Sequence, residues 1–199
     1  IYVVGIGPGK KPDMTHRAYE AMKNSDIIVG YKTYVDLVKE YFEDKKLVNS
    51  AMKKEVDRCI DVLELAKDGI IVSLISSGDS GVYGMAGIML EIADEDIEIE
   101  VIPGVTASNA AGAFVGAPIM HDHVTISLSD LLTDWNLIKK RLELAAQGDF
   151  VISLYNPKSK GRISQIVEAR DIMLKHKPAA TKVAIVKNVG RKDQSYTLT

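Results

Sequence analysis

The 199-residue chain predicts an α/β fold with a mainly parallel sheet, and three observations carry that expectation. Short apolar runs alternate with segments of helical periodicity through residues 1–115. Three of those runs lead into glycine-bearing loops: Gly5-Ile-Gly-Pro-Gly9, Ser76-Ser-Gly-Asp-Ser-Gly-Val-Tyr-Gly84 and Pro103-Gly-Val-Thr-Ala107. The run over 69–75 lacks polar alternation apart from Ser73, which suits a strand covered on both faces. Strands linked through helices pair in parallel, and loops at their carboxyl ends gather along one edge, where open α/β sheets bind ligands.

Taken in order, residues 2–6 form a buried strand, followed by a glycine loop and a helix over about 15–24. A short strand over 26–29 leads to a helix around 33–41. The segment 55–67 is a clearer helix, with Val56, Ile60, Leu63 and Ala66 expected on one face. After the strand at 69–75 come a helix over 82–93, a strand over 98–102 and a helix over 106–114. Gly116-Ala-Pro118 interrupts the alternation and marks the expected boundary between a domain of residues 1–115 and one of 116–199. The second half reads as strand 124–128, helix 134–147, strand 149–154 and helix 162–175. Strands at 182–187 and 194–199 then pair antiparallel, giving a smaller mixed α/β domain. Ile1 opens directly into a strand and Thr199 closes a β-like run, so both ends are expected to be trimmed.

Composition narrows the function classes. Hydrophobic residues make up 46% and charged residues 26%, the balance of a soluble globular protein. A net charge of −2 gives no support to nucleic-acid binding. No apolar stretch suits a membrane span or signal peptide. The single cysteine, Cys59, cannot form an internal disulfide, and a cytoplasmic location is expected. Its helical surroundings make it a packed thiol rather than a nucleophile.

Each motif admits a simpler reading. Gly5-Ile-Gly-Pro-Gly9 departs from the dinucleotide-binding pattern, because Lys10 occupies the third glycine position and Pro8 removes an amide. The second strand also lacks the acidic ribose ligand and runs into Gly30-Tyr31-Lys32. Gly78-Asp-Ser-Gly81 matches the nucleophile loop of chymotrypsin-like proteases, but that fold is all-β. A triad is defined by geometry, not by four residues, and Asp79 or Ser80 is expected to cap the next helix. His121-Asp-His123 places two imidazoles on one side of a strand, without the further ligands a structural zinc needs. No metal is expected, and either histidine is suited to proton movement. Lys158-Ser-Lys160-Gly-Arg162 follows an Asn-Pro turn at a strand end, where cations could hold carboxylates or phosphates.

In this order, the segments resemble the tetrapyrrole (corrin/porphyrin) methylase family. The opening loop with Met14-Thr15, the loop Gly78–Gly84 and Pro103–Ala107 carry the likeness, which extends over the whole chain. Val29-Gly-Tyr-Lys-Thr-Tyr34, Ile126–Thr133 and Leu154–Arg162 look closest to the precorrin-3B or cobalt-precorrin-3 C17-methyltransferases within it. The resemblance implies two α/β domains with S-adenosyl-L-methionine in the cleft between them, a tetrapyrrole substrate and a homodimer. By matched segment, it places Pro8, Ser77, Gly78, Asp79, Val82, Tyr83, Thr106 and Ala107 at the cofactor, with Tyr155 and Asn188 closing the adenine side from the second domain. Lys158, Lys160 and Arg162 are expected at the substrate's carboxylates, and His121, with Asp122 as partner, at the proton step of ring contraction. Ser80 stands where many relatives carry proline, and the final part of the second domain is expected to be missing. Another ring carbon, a non-tetrapyrrole substrate and a non-catalytic nucleotide-like binder remain the alternatives.

Overall fold

In the computed structural model, which describes residues 1–50 and 55–199, the first part of the chain builds a five-stranded parallel sheet. Strands β1 (Tyr2–Gly5), β2 (Ile27–Tyr31), β3 (Lys46–Ser50), β4 (Val72–Ser76) and β5 (Glu100–Ile102) lie in the order β3-β2-β4-β1-β5. Helices α1 (His16–Asn24), α2 (Lys32–Val38), α3 (Glu55–Lys67), α4 (Ala86–Ile92) and α5 (Ala107–Phe114) alternate with them. Period-2 alternation divides the strand residues between two faces. Val4, Ile28 and Ile75 pack with Ala18, Met22, Val35 and Phe42 on one side. Val3, Val29 and Leu74 pack with Cys59, Val62, Leu63 and Met89 on the other. Both faces are therefore dry, which is why these strands read as unbroken apolar runs.

Three details differ from the sequence reading. Strand β3 is additional to it; only Leu47 and Val48 are apolar in Lys46–Ser50, and pairing with β2 from Ile27↔Lys46 to Tyr31↔Ser50 defines it. The buried stripe of α3 is Cys59, Val62 and Leu63, while Val56 and Ile60 are 51% and 48% exposed. Both sets satisfy helical spacing, and the first fits the cluster around Val3 and Leu74. Burial pushes the Cys59 thiol up to about 11, which keeps it protonated at neutral pH. Helix α4 starts at Ala86, not at 82, because Tyr83 takes a positive φ of 54° in the preceding turns. Its N-cap is Met85, with no side-chain cap, so neither Asp79 nor Ser80 caps it.

The second part contains β6 (His123–Ser127), α6 (Trp135–Gln147) and β7 (Val151–Tyr155), a βαβ unit paired from His123↔Val151 to Ser127↔Tyr155. Asp134 caps α6 by accepting the Asn136 amide at 2.9 Å. Helix α7 (Gln165–Met173) packs on α6, around Ile126, Leu128, Ile138, Leu142 and Ala169. Strands β8 (Ala184–Lys187) and β9 (Ser195–Leu198) form a two-stranded sheet. Beside them Val183 and Thr199 exchange amide bonds of 2.9 and 3.0 Å, the reciprocal pattern of antiparallel pairing.

By internal contacts the chain divides into two units, Ile1–Ala110 with Lys187–Ser195, and Ala111–Val186 with Tyr196–Thr199. The division falls inside α5, and the segment at 187–195 groups with the first unit although it is far away in sequence.

Candidate functional site

The chain leaves β1 toward β2 on one side, whereas β5 lies on the other, so connections diverge around β1. Such a divergence opens a crevice at the carboxyl ends of the strands. The three glycine loops follow β4, β1 and β5, which are adjacent strands.

The loops meet through main chain. The Gly7 amide donates to the Gly78 carbonyl at 3.0 Å, and the Gly78 amide returns a bond to Gly7 at 2.9 Å. A Cβ placed on Gly104 would lie 2.2 Å from the Gly78 oxygen and 2.5 Å from the Gly5 oxygen. Glycine is required there because the opposing atoms are backbone and cannot rotate away.

Polar side chains complete the junction. One carboxylate oxygen of Asp79 accepts the Gly81 amide at 2.8 Å, and the other accepts the Gly104 amide at 3.0 Å. Asp79 thus joins the second loop to the third. Ser80 is wholly buried and donates to the Val3 carbonyl at 3.1 Å, so it anchors its loop beneath β1 and is withdrawn from any nucleophilic role. Thr15 caps α1 by accepting the Ala18 amide at 3.2 Å and donates to the Pro103 carbonyl at 3.1 Å. That contact accounts for the Met14-Thr15 part of the opening motif. Arg191, from the 187–195 segment, donates Nε to the Pro8 carbonyl at 2.7 Å and Nη2 to Ser77 Oγ at 2.5 Å.

Of the residues expected at the cofactor, Pro8, Ser77, Gly78, Asp79, Val82, Tyr83, Thr106 and Ala107 all lie on or beside these loops. Gly78 and Pro8 are buried, Ser77, Asp79, Val82 and Thr106 half-buried, and Tyr83 and Ala107 exposed. Asn188, with a positive φ of 54°, belongs to the first unit, a correction to its assignment to the second domain. Tyr155 ends β7 in the second unit and is half-buried. Sequence reasoning assigns Arg191 no role at the loops; its position after Asn188-Val-Gly190 is the available signal.

In the second unit, His121 and Asp122 are exposed at the entrance to β6. The His123 ring lies 3.4 Å from the His121 carbonyl, and the Asp122 carbonyl accepts the Val151 amide at 3.1 Å. The basic cluster divides. Lys158 and Lys160 are exposed, whereas Arg162 is only 9% exposed. Its guanidinium donates to Ser129 Oγ at 3.3 Å and the Asn156 carbonyl at 3.2 Å, with Asp130 at 3.9 Å. Among the described residues, no group of three His, Cys, Asp or Glu side chains could hold a metal ion, and no helix is long and apolar enough to cross a membrane.

A parallel sheet whose adjacent strands end in interlocked glycine loops is the arrangement in which open α/β proteins as a class receive ligands at the sheet edge. The chain belongs to the Tetrapyrrole (Corrin/Porphyrin) Methylases, whose family model matches residues 1–199. It is 49% identical to a probable cobalt-factor III C(17)-methyltransferase of Salmonella typhimurium, over 99% of this chain and 83% of that protein. It is 46% identical to a cobalt-factor III methyltransferase of Priestia megaterium, of which it spans only 38% while matching along its whole length. A crystal structure of the methyltransferase CobJ superposes with a TM-score of 0.93 at 34% identity, over 100% of this chain and 84% of that one. Diphthine synthase shares the fold at a TM-score of 0.61 and 19% identity, over 100% of this chain and 81% of that one. Fold alone therefore does not select a substrate.

Proposed function

We propose that this protein is an S-adenosylmethionine-dependent C-methyltransferase of cobalamin biosynthesis, methylating C17 of precorrin-3B or its cobalt form with contraction of the macrocycle. The observation that carries this reading is the near full-length identity of 49% to a relative named as a C(17)-methyltransferase of cobalt-factor III. A relative from Sinorhizobium named precorrin-3B C(17)-methyltransferase, 40% identical over 98% of this chain and 78% of that protein, supports the same ring position.

The glycine junction fits the cofactor. Glycine at 78 and 104 lets the second and third loops close on each other through main chain, and Ser77 and Thr106, both half-buried, carry hydroxyls on those loops. S-adenosylmethionine, when bound, supplies an electrophilic methyl group on a sulfonium. The first-unit residues Pro8, Ser77, Gly78, Asp79, Val82, Tyr83, Thr106, Ala107 and Asn188 hold and orient it and exclude water. Alignment of the reacting carbon with the methyl group is the main catalytic contribution required of such a site. Lys158 and Lys160 attract the carboxylates of the tetrapyrrole, and Arg162 shapes the loop that presents them. His121 moves a proton during ring contraction, with Asp122 beside it in sequence. The protein works as a cytoplasmic homodimer.

Calorimetry with S-adenosylhomocysteine tests the cofactor assignment, and turnover with precorrin-3B and cobalt-factor III tests the substrate. Saturable binding with methylation at C17 is the expected result. Binding with methylation at another carbon would retain the family chemistry and overturn the ring position.

A further inference from the structure

We infer that Arg191 is a positioning residue for the cofactor: it clamps the first and second glycine loops together and turns the Ser77 hydroxyl into a hydrogen-bond donor toward the ligand. The inference rests on the cofactor reading above and goes beyond it by assigning work to a residue outside the glycine motifs.

The geometry is specific. Nε donates to the Pro8 carbonyl at 2.7 Å and Nη2 donates to Ser77 Oγ at 2.5 Å, so one planar group spans two loops that the Gly7–Gly78 pairing already brings together. The backbone that delivers Arg191 is equally constrained. Asn188 and Gly190 take positive φ of 54° and 69°, and the Arg191 amide closes the turn on the Asn188 carbonyl at 2.9 Å. A Cβ on Gly190 would lie 2.5 Å from Pro8 Cβ, so only glycine lets this turn lie against the first loop. The Gln194 side chain accepts the Gly190 amide at 2.9 Å and fixes the turn from its far side.

The donor inventory gives the chemical consequence. A guanidinium only donates, whereas a serine hydroxyl has one proton and two lone pairs. Ser77 Oγ must therefore accept from Arg191, and its own proton is directed elsewhere. Burial lowers the tendency of Arg191 to hold its charge, and the neighbouring Tyr34 opposes that effect. A partly desolvated cation polarises an accepting hydroxyl more strongly than one in water. The ligand group suited to this donor is an oxygen acceptor, such as a carboxylate or a ribose oxygen.

The test measures S-adenosylhomocysteine affinity and ligand-free melting for the full chain and for Arg191→Met, Arg191→Lys, Ser77→Ala and the Arg191→Met/Ser77→Ala pair. Arg191→Met keeps the stem and removes the fork; an affinity loss of at least about tenfold is expected, consistent with loss of a charge-assisted bond. Arg191→Lys should recover only part of the loss, because an ammonium at the end of a flexible stem does not reproduce the fork. In the Ser77→Ala background the same Arg191→Met change should cost about threefold or less, because the shared bond is already gone. A purely structural role would instead lower melting and give equal losses in both backgrounds, and that result overturns the inference. Unchanged affinity in Arg191→Met overturns it as well. Failure of the unmodified protein to bind S-adenosylhomocysteine would instead sink the cofactor reading and the inference with it.

Discussion

The glycine-loop edge of the first unit and the basic and histidine-bearing loops of the second are built on opposite principles. At the first, position is fixed by main chain: Gly5 and Gly104 approach their neighbours within distances that no Cβ permits, Gly78 takes a positive φ of 71°, and Asp79, Thr15 and Arg191 tie the loops across strands. At the second, His121, Asp122, Lys158 and Lys160 are exposed side chains, and only Arg162 among the proposed site residues on those loops is buried. The contrast separates two tasks. A ligand held by backbone needs a rigid frame, while proton transfer and attraction of carboxylates need reachable side chains with room to adjust. Substitution of a glycine that sets the loop packing of the first region should act through affinity and stability together, and substitution of the exposed side chains of the second through turnover or KM alone.

The largest expected effect is at His121. If it moves a proton in ring contraction, His121→Ala should lower turnover by roughly 10²–10⁴-fold, the range for a lost general acid or base. Cofactor affinity should stay unchanged. Product analysis sharpens the test, since a methylated but uncontracted ring would separate the two chemical stages. His121→Gln keeps a hydrogen-bonding group but provides no base, so full activity in that variant would assign His121 to binding.

Gly104→Ala comes next and probes the opposite region. Its new methyl group would meet two carbonyl oxygens at 2.2 and 2.5 Å, both main chain. Overpacking of this kind costs about 3 kcal/mol, read as a fall in denaturation midpoint with a parallel loss of S-adenosylhomocysteine binding. Gly161→Ala in the second unit is the control, because the methyl group it adds would have no neighbour within 4 Å. Equal behaviour of the two variants would remove the distinction between the regions.

Asp79→Ala and Ser80→Ala compare neighbours within one loop. Loss of the Asp79 carboxylate leaves the Gly81 and Gly104 amides without it, and cofactor affinity should fall about tenfold, as hydrogen bonds to charged groups imply. Ser80→Ala removes a buried bond to Val3 and should cost about 1 kcal/mol of stability, with little change in affinity. Severe loss of activity in Ser80→Ala with the cofactor still bound would overturn its assignment as an anchor.

The same contrast explains what is legible in the sequence. The central strands announce themselves because both faces are dry, as Val3, Val4 and Leu74 show by their complete burial. The glycine loops are legible because close main-chain approach leaves a compositional mark. Strand β3 leaves no such mark: its five residues contain only Leu47 and Val48 as apolar members, and its pairing partner β2 lies beyond a helix in sequence. The α3 face is misread from periodicity because Val56, Ile60 and Leu63 satisfy helical spacing as well as Cys59, Val62 and Leu63 do. Choosing between them requires the opposing sheet face. Arg191 reads in the sequence as half of a basic Arg191-Lys192 pair on a surface loop and is not assigned to the glycine loops for a related reason, since its partners Pro8 and Ser77 lie 183 and 114 residues away. Nothing in a local pattern distinguishes an arginine that bridges two loops from one that faces solvent.

The smallest effects belong to the basic cluster, which the structure divides by burial. Arg162→Ala removes bonds to Ser129 and Asn156 from a site that is 9% exposed, and should cost about 1–2 kcal/mol of stability as buried hydrogen bonds are lost. Lys158→Ala with Lys160→Ala should leave stability unchanged, because both side chains are exposed and make little net contribution to folding. Their expected effect is a rise of about two- to fivefold in the KM for the tetrapyrrole, the scale of exposed charge pairs. That rise should shrink as salt is added, since charges at a surface are screened over about 8–10 Å near physiological ionic strength. Cofactor affinity should not follow it. Kinetics of the double lysine variant that match the parent at low salt would return both residues to ordinary solvated surface, and the carboxylates would have to be held elsewhere.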